Sequence, residues 1–173
     1  YPMANFNCSF AVLDKFSTFK DLFYLLMIGS GVGIRVLKSD VQKLPKIRTN
    51  IKIIHEAYMP ISSEKREDLS SITFQKDTAQ ITVGDSKEGW VQSLDYYMSI
   101  LSKKEYRQIN TVIFNYNNVR PKGEKLKTFG GTASGYESLE RMFSKINKIV
   151  KNNYFGQWKK LRPVDCMDIA NII

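Results

Sequence analysis

Cysteine and histidine are scarce. Two cysteines, Cys8 and Cys166, and one histidine, His55, occur in 173 residues. That excludes a disulfide-stapled scaffold, a four-cysteine metal site and a multi-histidine metal cluster. Long apolar runs are missing too. The longest candidate, Leu22 to Ile28, falls far short of the ~18 residues of a membrane-spanning helix. There is no internal repeat and no low-complexity segment. Acidic residues are outnumbered, 17 against 26 basic ones, for a formal charge of +9. What is present is an ordinary globular composition, 43% hydrophobic and 25% charged, which argues against global disorder. The length suits one domain, or one domain with an insertion. The chain opens on Tyr1 with no secretory signal and closes on the apolar run Ile169-Ala170-Asn171-Ile172-Ile173, and we read it as a segment of a longer protein.

Periodicity places the elements. Phe6, Cys8, Phe10 and Val12 alternate with Asn7, Ser9 and Ala11, as a strand requires. Residues 16–28 change to helical spacing, with Phe19, Leu22, Phe23 and Leu26 on one stripe, Ser17 or Thr18 as cap and Gly29 as stop. A glycine-rich turn, Gly29 to Gly33, then leads into a short strand at Ile34-Arg35-Val36. Helix, turn and strand in this order are an α/β signature. Asp40 to Leu44 suggests a helical turn, Ile51 to Ile54 a strand or a helix start, and Ile61 to Ser71 a charged surface stretch. Two runs, Ile72–Phe74 and Gln80–Val83, flank Lys76-Asp77-Thr78 as a hairpin. Asp85 and Glu88 have capping-box spacing ahead of the stripe Trp90, Val91, Leu94, Met98, Leu101. Thr111 to Tyr116 reads as a buried strand, followed by a loop from Asn117 to Gly131. Ser134 and Glu137 repeat the capping-box spacing before a strongly amphipathic helix with Leu139, Met142, Phe143, Ile146, Ile149 and Val150. Pro163 suits the first turn of a last helix.

Several residues are candidates for chemistry. Cys8, on a strand, reads either as a core thiol or as a redox thiol in an active site; Cys166, on a helix, reads as an inert thiol. Gly31-Val32-Gly33 follows a helix instead of preceding one, so it lacks the order of a dinucleotide fingerprint. Its use would be close backbone approach to a ligand. Most of the lysines, including the run from Arg141 to Lys160, form a solvated face. Arg120, Lys122, Lys125 and Lys127 differ, because they sit in a short loop punctuated by Pro121 and Gly123, beside Phe129-Gly130-Gly131-Thr132-Ala133-Ser134-Gly135. Cations beside small-residue backbone and a helix start suit a polyphosphate, and a plain basic loop is the alternative. His55 reads as a surface or locally hydrogen-bonded side chain. Asp14, at a strand–helix junction, reads as a cap or as an acceptor for a ligand hydroxyl.

Asn7-Cys8-Ser9-Phe10, with Leu26-Met27-Ile28-Gly29-Ser30-Gly31-Val32-Gly33, resembles the first barrel strands of ribonucleotide reductases. Gly84-Asp85-Ser86-Lys87-Glu88-Gly89-Trp90, Val119-Arg120-Pro121-Lys122-Gly123, the run Phe129 to Gly135, and the closing Asp165 to Ile173 narrow the resemblance. They are similar to the adenosylcobalamin-dependent, monomeric ribonucleoside-triphosphate reductases. The resemblance implies an α/β fold: the first part of a ten-stranded α/β barrel with a helical and hairpin insertion. It implies three regions, 1–36 with the first strands and substrate-site turn, 37–118 with the insertion, and 119–173 with an effector phosphate loop and barrel helices.

Residue by residue, the resemblance implies that Cys8 is one of two redox cysteines, its partner lying outside this chain. Asn7, Cys8, Ser30 and Gly31 would line the ribonucleotide site. Asp14, Lys15 and Phe16 would form part of a specificity-effector site whose phosphates Arg120 and Lys127 hold. The implied ligands are a ribonucleoside triphosphate substrate and a deoxyribonucleoside triphosphate effector, with a thioredoxin-like reductant and with adenosylcobalamin bound outside this chain. No metal site, nucleic acid or membrane is implied, and the parent would be a cytoplasmic monomer. Without the thiyl-radical cysteine, catalytic glutamate and second redox cysteine, the isolated chain would be silent. A non-catalytic nucleotide-sensing module is the competing expectation. A nucleic-acid binder fits less well, because the basic residues do not interleave with aromatics on one strand face.

Overall fold

A computed structural model of the chain describes residues 7–126, 130–151 and 156–173. Its elements are β1 (Cys8–Val12), α1 (Ser17–Met27), β2 (Gly31–Arg35), α2 (Lys38–Val41), β3 (Ile47–Arg48), β4 (Lys52–His55), β5 (Ser71–Gln75), β6 (Thr78–Thr82), α3 (Lys87–Ser102), β7 (Thr111–Asn115), α4 (Glu137–Lys151), β8 (Trp158–Lys159) and α5 (Pro163–Ile172). This is the expected α/β class. Phe6 and Phe129 fall outside the described residues.

The chain begins with a strand–helix–strand unit. β1 and β2 pair in parallel, Cys8 opposite Gly31 and Phe10 opposite Gly33, and α1 makes the crossover that parallel strands need. Gly29, at φ +87°, turns the chain out of α1. Gly31 and Gly33, expected in a turn, are strand residues, and the strand begins three residues earlier than its β-branched content suggests. Phe19, Leu22 and Phe23 of α1 are buried, and Val32 and Ile34 pack against the core. The other face of the pair carries Cys8, Phe10, Gly31 and Gly33, all exposed.

A four-stranded sheet in the order β4-β7-β6-β5 forms the second unit. β4, β7 and β6 are parallel, and the β5–β6 hairpin closes one side through Lys76-Asp77, with Lys76 at φ 55°. Ile51 to Ile54, open between strand and helix, supplies β4. One face is covered by both long helices. Phe114 of β7 stacks on Phe143 of α4 with ring centroids 4.1 Å apart and meets Tyr97 of α3 edge-on at 5.5 Å. Tyr97, fully buried, donates its hydroxyl to Asn147 Oδ1 at 3.1 Å, which satisfies the polar tip of an otherwise apolar anchor. β3 and β8 make a small antiparallel pair, and Lys159 and Lys160 beside it cap carbonyls at the ends of α4 and α2.

Neither capping box forms as the spacing suggests. Ser86, not Asp85, is the cap of α3, accepting from Gly89 N at 2.9 Å, and Asp85 is engaged by arginines instead. Helix α4 starts at Glu137, so that residue opens the helix and cannot serve as its third position. The two glycines around Asp85 have a packing reason. Ser70, buried, donates to Gly89 O at 2.6 Å and accepts from Gly84 N at 2.9 Å. A Cβ on Gly84 would stand 2.6 Å from the Asp68 carbonyl carbon, and one on Gly89 3.0 Å from the Gly84 Cα. The chain crosses itself there at a separation that only glycine permits.

His55 is locally hydrogen-bonded. Its Nδ1 lies 2.9 Å from Tyr116 Oη and its Nε2 3.0 Å from Ser144 Oγ, so β4 is tied to the strand end and to α4. Burial holds the imidazole below its ordinary value of 6.5, against the opposing pull of Glu140. A depressed folded value means that the unfolded chain takes up the proton first. The stability contributed by neutral His55 is full above about 6.5 and is lost as pH falls through the folded value. Thermal midpoints should therefore decline from pH 7.5 to pH 5, and His55→Gln should flatten that limb. The Asp40 carboxylate, lowered by its hydrogen bond from Arg35, acts in a separate and more acidic window.

Candidate functional site

The thiol of interest sits at the open edge of the strand–helix–strand unit. Cys8 is the first residue of β1 and is exposed. The amide of Gly31 donates to Asn7 O at 3.0 Å, and Ser9 Oγ lies 2.8 Å from Ser30 Oγ. Asn7, Cys8, Ser30 and Gly31 are thus brought together at one end of the parallel pair. Among the described residues, a Cβ on Gly31 would have only the Asn7 carbonyl oxygen, at 3.5 Å, within 4 Å, so none of their side chains covers the backbone opposite Cys8. Cys166 contrasts with this. It is buried on α5, and desolvation pushes its thiol up to about 12, which suppresses thiolate chemistry.

The residues expected around an effector fall into separate places. Asp14 lies 3.9 Å from Lys43 Nζ, Lys15 is exposed, and Phe16 stacks on Phe19. Lys20 of α1 pairs with Asp95 of α3 at 3.6 Å. An open groove of about 580 Å³ runs from there between Tyr24 and Leu25 of α1 and Glu88, Val91 and Gln92 of α3. Among the described residues no hydrogen bond or ion pair joins Asp14, Lys15 or Phe16 to Arg120. Lys127 lies outside the described residues.

Arg120 is not a bare cation. Its Nε donates to both Asp85 oxygens at 2.9 and 3.1 Å, and its backbone N–H donates to Oδ1 at 3.0 Å. The same carboxylate lies 3.6 Å from Arg66, which also makes a two-pronged pair with Glu124 at 2.7 and 2.9 Å. Arg66, placed by sequence in a charged surface stretch, has a side chain only 8% exposed, and its hydrogen bonds to Glu124 raise its already high pKa. Sequence reasoning missed Arg66 and Asp85 as members of this cluster. The signal available was only Glu124, the single acid within the basic loop. Among the described residues no group of three or more His, Cys, Asp and Glu side chains could hold a metal ion, and no described helix is long and apolar enough to cross a membrane.

The arrangement defines a class first: an α/β segment that opens on a parallel strand–helix–strand unit. It superposes on a B12-dependent (class II) ribonucleotide reductase crystal structure with a TM-score of 0.73 and 25% identity, over 96% of this chain and 26% of that one. Residues 52–150 match the family model described as the insertion domain of B12-dependent ribonucleotide reductase, and the chain belongs to that family. Curated relatives agree. The adenosylcobalamin-dependent ribonucleoside-triphosphate reductase of Lactobacillus acidophilus is 31% identical over 90% of this chain and 22% of its own length. That of Lacticaseibacillus paracasei is 28% identical over 88% and 21%. The chain thus spans about a fifth of the length of these relatives.

Proposed function

We propose that this chain is the part of an adenosylcobalamin-dependent ribonucleoside-triphosphate reductase that supplies one redox cysteine and the specificity-effector region. One observation carries the reading: an exposed thiol, Cys8, opposite a strand glycine, Gly31, whose outer side no described side chain covers. Reduction at the ribose 2′ position needs two electrons and two protons. Two thiols become one disulfide, the 2′ oxygen leaves as water and a hydrogen takes its place. Cys8 is one thiol of that pair. Cys166 is too deeply buried on α5 to be the other, so the partner belongs to the rest of the reductase. Held on a strand, the Cys8 sulfur keeps a fixed approach to the sugar.

Regions 1–36, 37–118 and 119–173 are proposed as barrel opening, insertion and effector-phosphate loop with following helices. Asp14, Lys15, Phe16, Arg120 and Lys127 are proposed as effector contacts. Adenosylcobalamin supplies the radical-generating chemistry when bound. The donors here do not fit it: both nitrogens of the only imidazole are taken by Tyr116 and Ser144, and the α1–α3 groove is open and offers no imidazole or thiol. Its site is therefore assigned to the rest of the reductase.

The test is protection. In a full-length reductase carrying this segment, ribonucleoside triphosphate at about ten times its Kd should slow iodoacetamide labelling of Cys8 by about tenfold. Cys166 should stay slow throughout. An unchanged labelling rate with nucleotide demonstrably bound would remove Cys8 from the sugar site.

A further inference from the structure

The exposed face of the β1–β2 pair is built as two unequal lanes. Cys8 and Phe10 project from β1, and Gly31 and Gly33 lie directly opposite them on β2. Side chains two apart on a strand stand on the same face about 6.6 Å apart. Phe10 is 67% exposed, yet its ring does not stand free. A Cβ built on Gly33 would lie 3.3 Å from Phe10 Cδ2 and 4.0 Å from Cε2, so the ring leans across the strand onto that glycine. Among the described residues nothing comparable covers Gly31, where only the Asn7 carbonyl oxygen comes close. The result is a short slot over Gly31. Cys8 stands across the pair from it, Asn7 O lies at one end, and the Phe10 ring, resting over Gly33, lies at the other.

We propose that Phe10 is a positioning residue for the reductase reaction, its ring, laid over Gly33, being the end wall of a slot above Gly31 that seats the ribose of a ribonucleotide against the Cys8 thiol. This rests on the assignment of Cys8 to the sugar site. An exposed aromatic is unfavourable in water unless something covers it, and a ring edge beside a sugar both covers the aromatic and excludes water from the reacting carbon. Gly33 is the partner that makes the wall possible. A methyl group there would push the ring off its rest and into or away from the slot.

The test is steady-state kinetics of the full-length reductase carrying substitutions in this segment. Phe10→Ala should raise KM for the ribonucleotide by about tenfold or more with a smaller fall in kcat, because a loosened substrate pose loses near-attack geometry. Phe10→Leu, which keeps an apolar wall, should stay within about threefold of the parent KM. Gly33→Ala should raise KM as Phe10→Ala does, and Gly33→Ala combined with Phe10→Leu should recover most of it, because the shorter side chain makes room for the methyl. The Gly33 variants also serve if Phe10→Ala does not fold. A KM for both Phe10→Ala and Gly33→Ala within about twofold of the parent would overturn the proposal. If Cys8→Ser abolishes turnover while these two leave KM unchanged, the slot assignment fails alone. If Cys8→Ser is fully active, the sugar-site reading fails with it.

Discussion

Turnover of a full-length reductase with its dithiol reductant should fall by about a thousandfold or more when Cys8 is replaced by serine, with nucleotide affinity almost unchanged. The reason is electron supply. A serine hydroxyl fills nearly the same volume as the thiol and leaves the β1–β2 register intact, but it cannot form a disulfide, so two-electron reduction loses one of its sources. Cys8 has no second structural duty that would confuse the outcome: it is exposed at the start of its strand and no disulfide includes it. The measurement is deoxynucleotide formed per enzyme, together with nucleotide Kd. Turnover within about threefold of the parent would sink the redox assignment, since loss of a group used only in the chemical step lowers kcat without altering binding.

A second large effect is expected for stability. Arg48→Met should lower the free energy of unfolding by about 1–3 kcal/mol, a substantial share of a typical domain's total. Arg48 is 3% exposed, and burial lowers its pKa, although a guanidinium stays charged. No carboxylate faces it in the hydrogen bonds it makes. Its Nε donates to Asn50 Oδ1 at 3.2 Å, its Nη2 to Asn110 Oδ1 at 2.9 Å, and its Nη1 to the carbonyls of Tyr106 and Ile109. One planar fork therefore ties β3 to the approach of β7. Methionine would fill the space and strand the buried Ile109 carbonyl, which costs about 1–3 kcal/mol, while the exposed Asn50 and Asn110 side chains turn to water. Lysine should rescue poorly, because a single ammonium cannot span the same acceptors. Urea denaturation of the three proteins decides it, and a midpoint for Arg48→Met matching the parent's would refute the account.

Much of the fold was written in local pattern. The period-two run at Cys8 to Val12, the helical stripes of α1, α3 and α4, the β5–β6 hairpin and Pro163 at the head of α5 were legible because each signal spans only a few neighbouring residues. Cap identity was less so. Asp85 and Ser86 are adjacent and both good caps, and the choice between them was made by Arg120, 35 residues away. Gly31 and Gly33 read as a turn because glycine has low strand propensity, yet pairing with β1 overrode it. The burial of Arg48 and Arg66 could not be read at all. Their partners lie up to 62 and 58 residues further on, and a charged residue in a polar stretch looks the same whether it faces water or carbonyls. For the candidate site, the resemblance named Asn7, Cys8, Ser30 and Gly31, which the structure brings to one end of the β1–β2 pair. The tilt of Phe10 over Gly33 needed coordinates.

The sharing of Asp85 between two arginines bears on how any anion would enter that loop. A phosphate that takes Arg120 must release the carboxylate, which already has Arg66 3.6 Å away to turn to. One negative group then replaces another, and the local charge changes less than it would on an unoccupied guanidinium. Association there would behave as an exchange, with a gentle response to added salt, whereas capture by solvated lysines would weaken steeply as ionic strength rose.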